Sequence, residues 1–162
     1  MRDEVDRLIE AWERERPDLD YDSLAVLSRV SRLARHLDRA RRATFAAHDL
    51  EAYEFDVLTA LRRAGPPYEL SPGELIAQTL VSSGTMTNRI DRLQQRGLVE
   101  RRPDPADGRG VRVRLTGAGR GLIDGAFGDL LEREAALLAE LSPRQRTTVA
   151  AALRTVLAPF DG

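Results

Sequence analysis

From about Ser23 to His48 the apolar residues Leu24, Leu27, Val30, Leu33 and Leu37 recur every three or four positions, predicting a long helix whose other face is rich in arginine. A second helix is predicted from about Leu50 to Ala64, with Phe55, Leu58 and Leu61 on one face, and Gly65-Pro66-Pro67 stops it. Ser71, Pro72 and Glu74 then supply an N-cap, a first-position proline and the carboxylate of a capping box for a short helix ending near Leu80. After Val81-Ser82-Ser83 another helix runs from about Gly84 to Arg96, and Gly97 suits the left-handed C-cap. Two short helices joined by a tight turn make a helix-turn-helix.

The period then changes from helical to alternating. Leu98 to Arg102, a polar turn, and Val111, Val113 and Leu115 interleaved with Arg112 and Arg114 predict a β-hairpin with one apolar and one arginine-bearing face. A helix-turn-helix followed directly by a basic hairpin is a winged helix. Helical spacing resumes from Thr116 to about Leu141 through Leu122, Ala126, Leu130, Leu137 and Leu141, although Gly119, Gly121, Gly125 and Gly128 weaken it. A capping box at Ser142-Pro143-Arg144-Gln145 opens a last helix carrying Val149, Leu153, Val156 and Leu157. The fold class is therefore mostly α with a small β-wing. No linker divides residues 1–162, so they read as one domain: a winged-helix lobe over about 50–115, and helices at about 1–48 and 116–160. Those end helices carry more apolar surface than the lobe needs, and an isologous homodimer is its natural use.

On the helix after the turn, a rotation of 100° per residue gathers Met86, Ile90 and Leu93 on the inner face. Ser83 at its start, with Thr85, Thr87, Asn88 and Arg92, faces outward, and hydroxyl, amide and guanidinium groups can read base edges in a major groove or hold phosphates. Arg109 at the wing tip is placed to enter a minor groove, and Arg112 on the wing to meet the DNA backbone. Arg89 falls about 60° from the inner face and needs an internal partner, which Asp56 or a bound anion would supply.

Charge sharpens this reading. The chain has a net charge of -1, yet Thr85 to Arg120 holds nine arginines against four acids, while residues 1–22 hold nine acids against four arginines. A basic stripe on a nearly neutral chain suits a polyanion. All 25 basic residues are arginine, which binds phosphate and carboxylate with a planar fork. The stripe would also serve a helical interaction module with an acidic protein partner, the alternative from another functional class. The chain has no cysteine and only His36 and His48, leaving little material for a metal centre, and no cofactor is expected. No apolar run approaches the ~18 residues of a membrane span, and the first twenty residues are too charged for a secretory signal, so a soluble cytoplasmic protein is expected. Gly117-Ala118-Gly119-Arg120-Gly121 superficially resembles a phosphate-binding turn, but its third glycine comes one residue early and no second parallel strand follows. Nothing else in the sequence supports catalysis, and an enzyme is not expected.

The run SPGELIAQTLVSSGTMTNRIDRLQQRGLVERRPDPADGRGVRVRLTGAGR resembles the DNA-binding core of the MarR family of bacterial transcription regulators, with the helical pattern extending the likeness over nearly the whole chain. The resemblance implies a homodimer on pseudo-palindromic double-stranded promoter DNA, often a repressor, often released by a small phenolic or anionic ligand. The family's wing pattern Asp-x-Arg-Asp-x-Arg reads here Asp104-Pro105-Ala106-Asp107-Gly108-Arg109, so the first arginine is lost while the tip arginine remains. A narrower resemblance, to the urate-responsive branch, implies an extra N-terminal helix bearing Trp12 and a ligand site made of Trp12, Asp56, Arg89 and Arg101. Members of that branch also sense other anions, such as tricarboxylates.

Overall fold

The computed structural model describes residues 2–79, 81–105 and 110–160. They form seven α-helices and three short strands: α1 (Glu4–Glu15), α2 (Asp22–Ala47), α3 (Ala52–Arg63), β1 (Glu69–Leu70), α4 (Pro72–Thr79), α5 (Ser83–Gln95), β2 (Val99–Pro103), β3 (Val111–Leu115), α6 (Gly117–Leu137) and α7 (Pro143–Leu157). A 3-10 turn, Ala158–Phe160, follows. None of the helices is long and apolar enough, among the described residues, to cross a membrane. The chain divides into two compact units, residues 1–42 and 43–162, with the boundary inside α2.

In the first unit, polar chemistry joins α1 to α2. Asp3 and Asp6 close a reciprocal capping box at the start of α1. The same two carboxylates receive the guanidinium of Arg29, with Asp3 at 2.8 Å and Asp6 at 2.5 Å, while Arg32 donates to Glu4 at 2.6 Å. The hydrogen bond from Arg29 holds the Asp3 carboxyl down to about 2. The Asp3 backbone N–H and then Arg29 lower Asp6, and Arg32 lowers Glu4. Carboxyls lowered by folding stabilise the native state above their unfolded values, and that contribution disappears as pH falls through the folded ones. Acid is therefore expected to loosen α1 from α2 as pH drops from the ordinary carboxylate range to about 2. Trp12 on α1 is the sole tryptophan and reports the change. Its emission should shift across that interval, and a flat profile would contradict the assignment.

The second unit is the winged helix. β1, β3 and β2 lie side by side in that order, all antiparallel, with Val99 opposite Leu115, Arg101 opposite Val113 and Pro103 opposite Val111. Alternation sends Val113 and Leu115 into the core, where they meet Leu58 and Leu61 of α3, Leu75 of α4, Met86, Ile90 and Leu93 of α5, and Ile123, Ala126 and Leu130 of α6. Each fully covered Leu, Ile or Met contributes about 1.5–3 kcal/mol relative to exposure, so this shared core fixes the positions of α4, α5 and the hairpin together. The first half of α6 thus belongs to the lobe's core, where the sequence pattern grouped it with the terminal helices. By contrast α7 buries none of its residues, and Val149, Leu153, Val156, Leu157 and Phe160 remain exposed, as do Leu27, Val30 and Leu33 of α2.

Candidate nucleic-acid interface

Two caps place α5. Ser82 is its N-cap, its hydroxyl accepting from the Thr85 N–H, and Gly97 follows its C-cap at φ +69°, the left-handed conformation expected there. Met86, Ile90 and Leu93 are buried against the core. Thr85, Thr87, Asn88 and Arg92 are exposed away from that face, as the 100° rotation predicts, and Ser83 is exposed at the start of the helix. The Thr87 hydroxyl donates to the Ser83 carbonyl at 3.1 Å, and the Thr85 hydroxyl lies 2.9 Å from that of Ser82.

The C-terminal end of α5 is pinned to α3. Arg96 donates to the Glu54 carboxylate at 2.5 Å and to the Asp49 carbonyl at 2.7 Å. Glu54 is almost wholly buried, and the same oxygen accepts from the Glu51 N–H to cap α3. Removing Arg96 would leave a buried carboxylate short of its countercharge, which makes this pair a fixed anchor for the helix.

Four of the nine arginines of the stripe are held by carboxylates, Arg96 among them. Arg101 pairs with Asp91 at 2.6 Å and donates to Gln94 at 2.8 Å, tying β2 to α5. Arg102 pairs with Glu100, and Arg112 with Glu74. Among the described residues Arg92 makes no ion pair, and it projects from the exposed face of α5. Arg109 lies outside the described residues.

Arg89 is half-buried as its helical angle predicts, and an aromatic ring of α3 lies beside it. Its guanidinium stands 5.1 Å over the ring of Tyr53. Tyr53 precedes Asp56 by three residues and so shares its side of α3. A cation over an aromatic face satisfies the arginine without a second buried charge. Tyr53, Thr85, Asn88, Arg89 and Arg92 line a shallow cleft of about 210 Å³. Of the four residues expected around a ligand, Arg89 and Arg101 lie on or beside α5 with protein partners, Asp56 is exposed on α3, and Trp12 is exposed on α1 in the first unit. Tyr53 escaped the sequence reading, although an aromatic residue at three-residue spacing from the proposed acid was a usable signal.

A model of the MarR family matches residues 48–110, which run from the end of α2 to the wing. The transcriptional regulator PecS of Dickeya dadantii is 37% identical over 94% of this chain and 92% of its own. The chain belongs to the MarR family of helix-turn-helix transcription regulators. The wider MarR fold agrees: the E. coli MarR variant solved with operator DNA has 29% identity and a TM-score of 0.67 over 85% of this chain and 97% of its own. The structure of BpsR from Bordetella bronchiseptica, whose DNA binding is regulated by 6-hydroxynicotinic acid, is 30% identical with a TM-score of 0.59, covering 79% of this chain and 98% of that one. A MarR regulator needs a rigidly mounted helix with a polar outer face, and α5 has that form.

Proposed function

We propose that the chain acts as a homodimeric, sequence-specific repressor of promoter DNA whose grip is weakened by a small planar anion. The observation that carries this is the two-sided character of α5: a fully buried apolar side fixes its orientation, and Thr85, Thr87, Asn88 and Arg92 on its other sides, with Ser83 at its start, are exposed. Asn88 and Arg92 read base edges in the major groove, Ser83, Thr85 and Thr87 contact backbone or bases, and Arg109 enters the minor groove. The exposed apolar residues of α2, α6 and α7 are the material for the dimer, which presents two copies of α5 to successive major grooves. What favours DNA over an acidic protein partner is the polar outer face of α5 rather than the arginine count, because Arg96, Arg101, Arg102 and Arg112 are already paired internally. Such a regulator works in the cytoplasm beside the DNA it reads, and we assign it no catalytic step.

For the effector we infer an anion of the urate type that draws Arg89 from Tyr53 and engages Arg101, with Trp12 and Asp56 completing the response. Arg89 rides on α5, so a new partner for it changes the aim of the reading face. A coupling of about 1–3 kcal/mol weakens DNA binding roughly 5- to 150-fold, and operator DNA must weaken effector binding by the same factor. The test is a gel shift on the chain's own upstream intergenic DNA at physiological salt, repeated with urate, citrate and 6-hydroxynicotinate. Retention that one of these anions reverses is the expected result. Absence of retention overturns the DNA reading, and retention indifferent to all three overturns the effector reading.

A further inference from the structure

On the arginine face of the hairpin, Arg102 of β2 lies directly opposite Arg112 of β3. Like charges in that position destabilise a sheet unless each is neutralised. Arg102 is satisfied on its own strand, by Glu100 at 2.7 Å. Arg112 instead reaches off the hairpin to α4: its Nη1 donates to Glu74 Oε2 at 3.1 Å. Glu69 of β1 and Asp104, just after β2, each stand 3.9 Å from the same guanidinium. The Arg112 side chain is only 25% exposed, and Glu69 and Asp104 are covered to a similar degree.

This setting argues against the phosphate contact expected of Arg112 from the sequence. Three carboxylates surround the guanidinium, and a phosphate brought to it would meet their combined negative charge. The Glu74 oxygen that holds Arg112 also accepts from the Ser71 N–H at 2.7 Å, closing the cap of α4. The first turn of the helix-turn-helix and a strand of the wing therefore converge on one atom. Asp104 thus joins the wing's first strand to the same arginine on its neighbour.

We propose that Arg112 is a positioning residue, a clasp that fixes the wing against the first turn of α4 and so aims the wing tip at DNA. Its effect on DNA rests on the regulator reading above, but its hold on the wing does not. The two roles for Arg112 predict opposite signs for Glu74→Gln. Glutamine still closes the capping box, so the cap survives while the countercharge is lost. If Arg112 held phosphate, removing a competing anion beside it would tighten DNA binding. If Arg112 is the clasp, the wing loosens and binding weakens.

The experiment compares wild type, Glu74→Gln, Arg112→Ala and the double variant, with Arg112→Gln in place of Arg112→Ala if the latter does not fold. Hydrogen exchange on the free protein should show the hairpin amides, including the Asp104 N–H bonded to the Gly110 carbonyl, opening about three- to tenfold faster in each single variant. The amides of Ile90 and Leu93 should keep their protection. Affinity for a duplex selected from a random pool by the wild type should fall about three- to tenfold in each single variant and no further in the double. Unchanged hairpin exchange, or a Glu74→Gln variant that binds DNA as tightly as wild type or more so, would overturn the proposal. A wild type that selects no DNA would overturn the regulator reading, and the exchange result would still decide the clasp.

Discussion

Gly119→Ala is expected to cost the second unit about 3 kcal/mol or more, enough to unfold most or all of it. The Thr116 hydroxyl organises this point: it donates to the Gly97 carbonyl at 2.8 Å and accepts from the Gly119 N–H at 3.0 Å. That bond draws the first turn of α6 onto the backbone between α5 and β2. A Cβ at residue 119 would overlap the Leu98 carbonyl oxygen and approach Leu115 Cδ1 to 2.9 Å. Neither neighbour can yield, because Leu98 joins the C-cap of α5 to β2 and Leu115 is core. Gly121 and Gly128 of the same helix have open space around them, and alanine at either should stabilise by up to about 1 kcal/mol. Urea denaturation of the three variants measures the contrast. A Gly119→Ala protein as stable as Gly121→Ala would show that α6 does not sit on Leu98 as described.

The five glycines of this helix look alike in the sequence, where each registers only as a poor helix former. What separates Gly119 is contact with a carbonyl twenty-one residues earlier in the chain. The same distinction runs through the molecule. Local periodicity and caps located α2 to α7 and the hairpin to within a few residues, because amphipathic spacing and end signals are short-range properties. β1 is two residues long and shows no alternation to read. The exposed face of α5 and the half-buried angle of Arg89 were legible, since helix geometry alone sets them. The partners of Arg89 and Arg112 were not, because Tyr53 and Glu74 lie thirty-six and thirty-eight residues away and only the tertiary fold brings them near. The +5 stripe likewise overstated the free charge: a count cannot show that Arg96, Arg101, Arg102 and Arg112 already hold carboxylates.

Asn88→Ala and Arg92→Ala are expected to produce the largest functional losses. Both side chains sit on the exposed face of a helix whose other side is locked by Met86, Ile90 and Leu93, so truncating them leaves the fold intact and removes only outward groups. An asparagine amide can bond an adenine edge at two points and an arginine fork a guanine edge, each worth about 1–3 kcal/mol of discrimination, or roughly 5- to 150-fold in affinity for the preferred base. Arg92 has no ion pair among the described residues to hold it back from such a contact. Its removal should also lower the salt dependence of binding if it spends part of its charge on phosphate.

The central claim, that the outer face of α5 reads sequence, is tested most directly by the ratio of affinities for a selected duplex and a scrambled duplex of equal length, measured by fluorescence anisotropy at one physiological salt concentration. A ratio of about a thousand or more is expected for the wild type, falling by about tenfold or more in Asn88→Ala and in Arg92→Ala. Equal affinity for the two duplexes, or a wild-type ratio preserved in both variants, would contradict it.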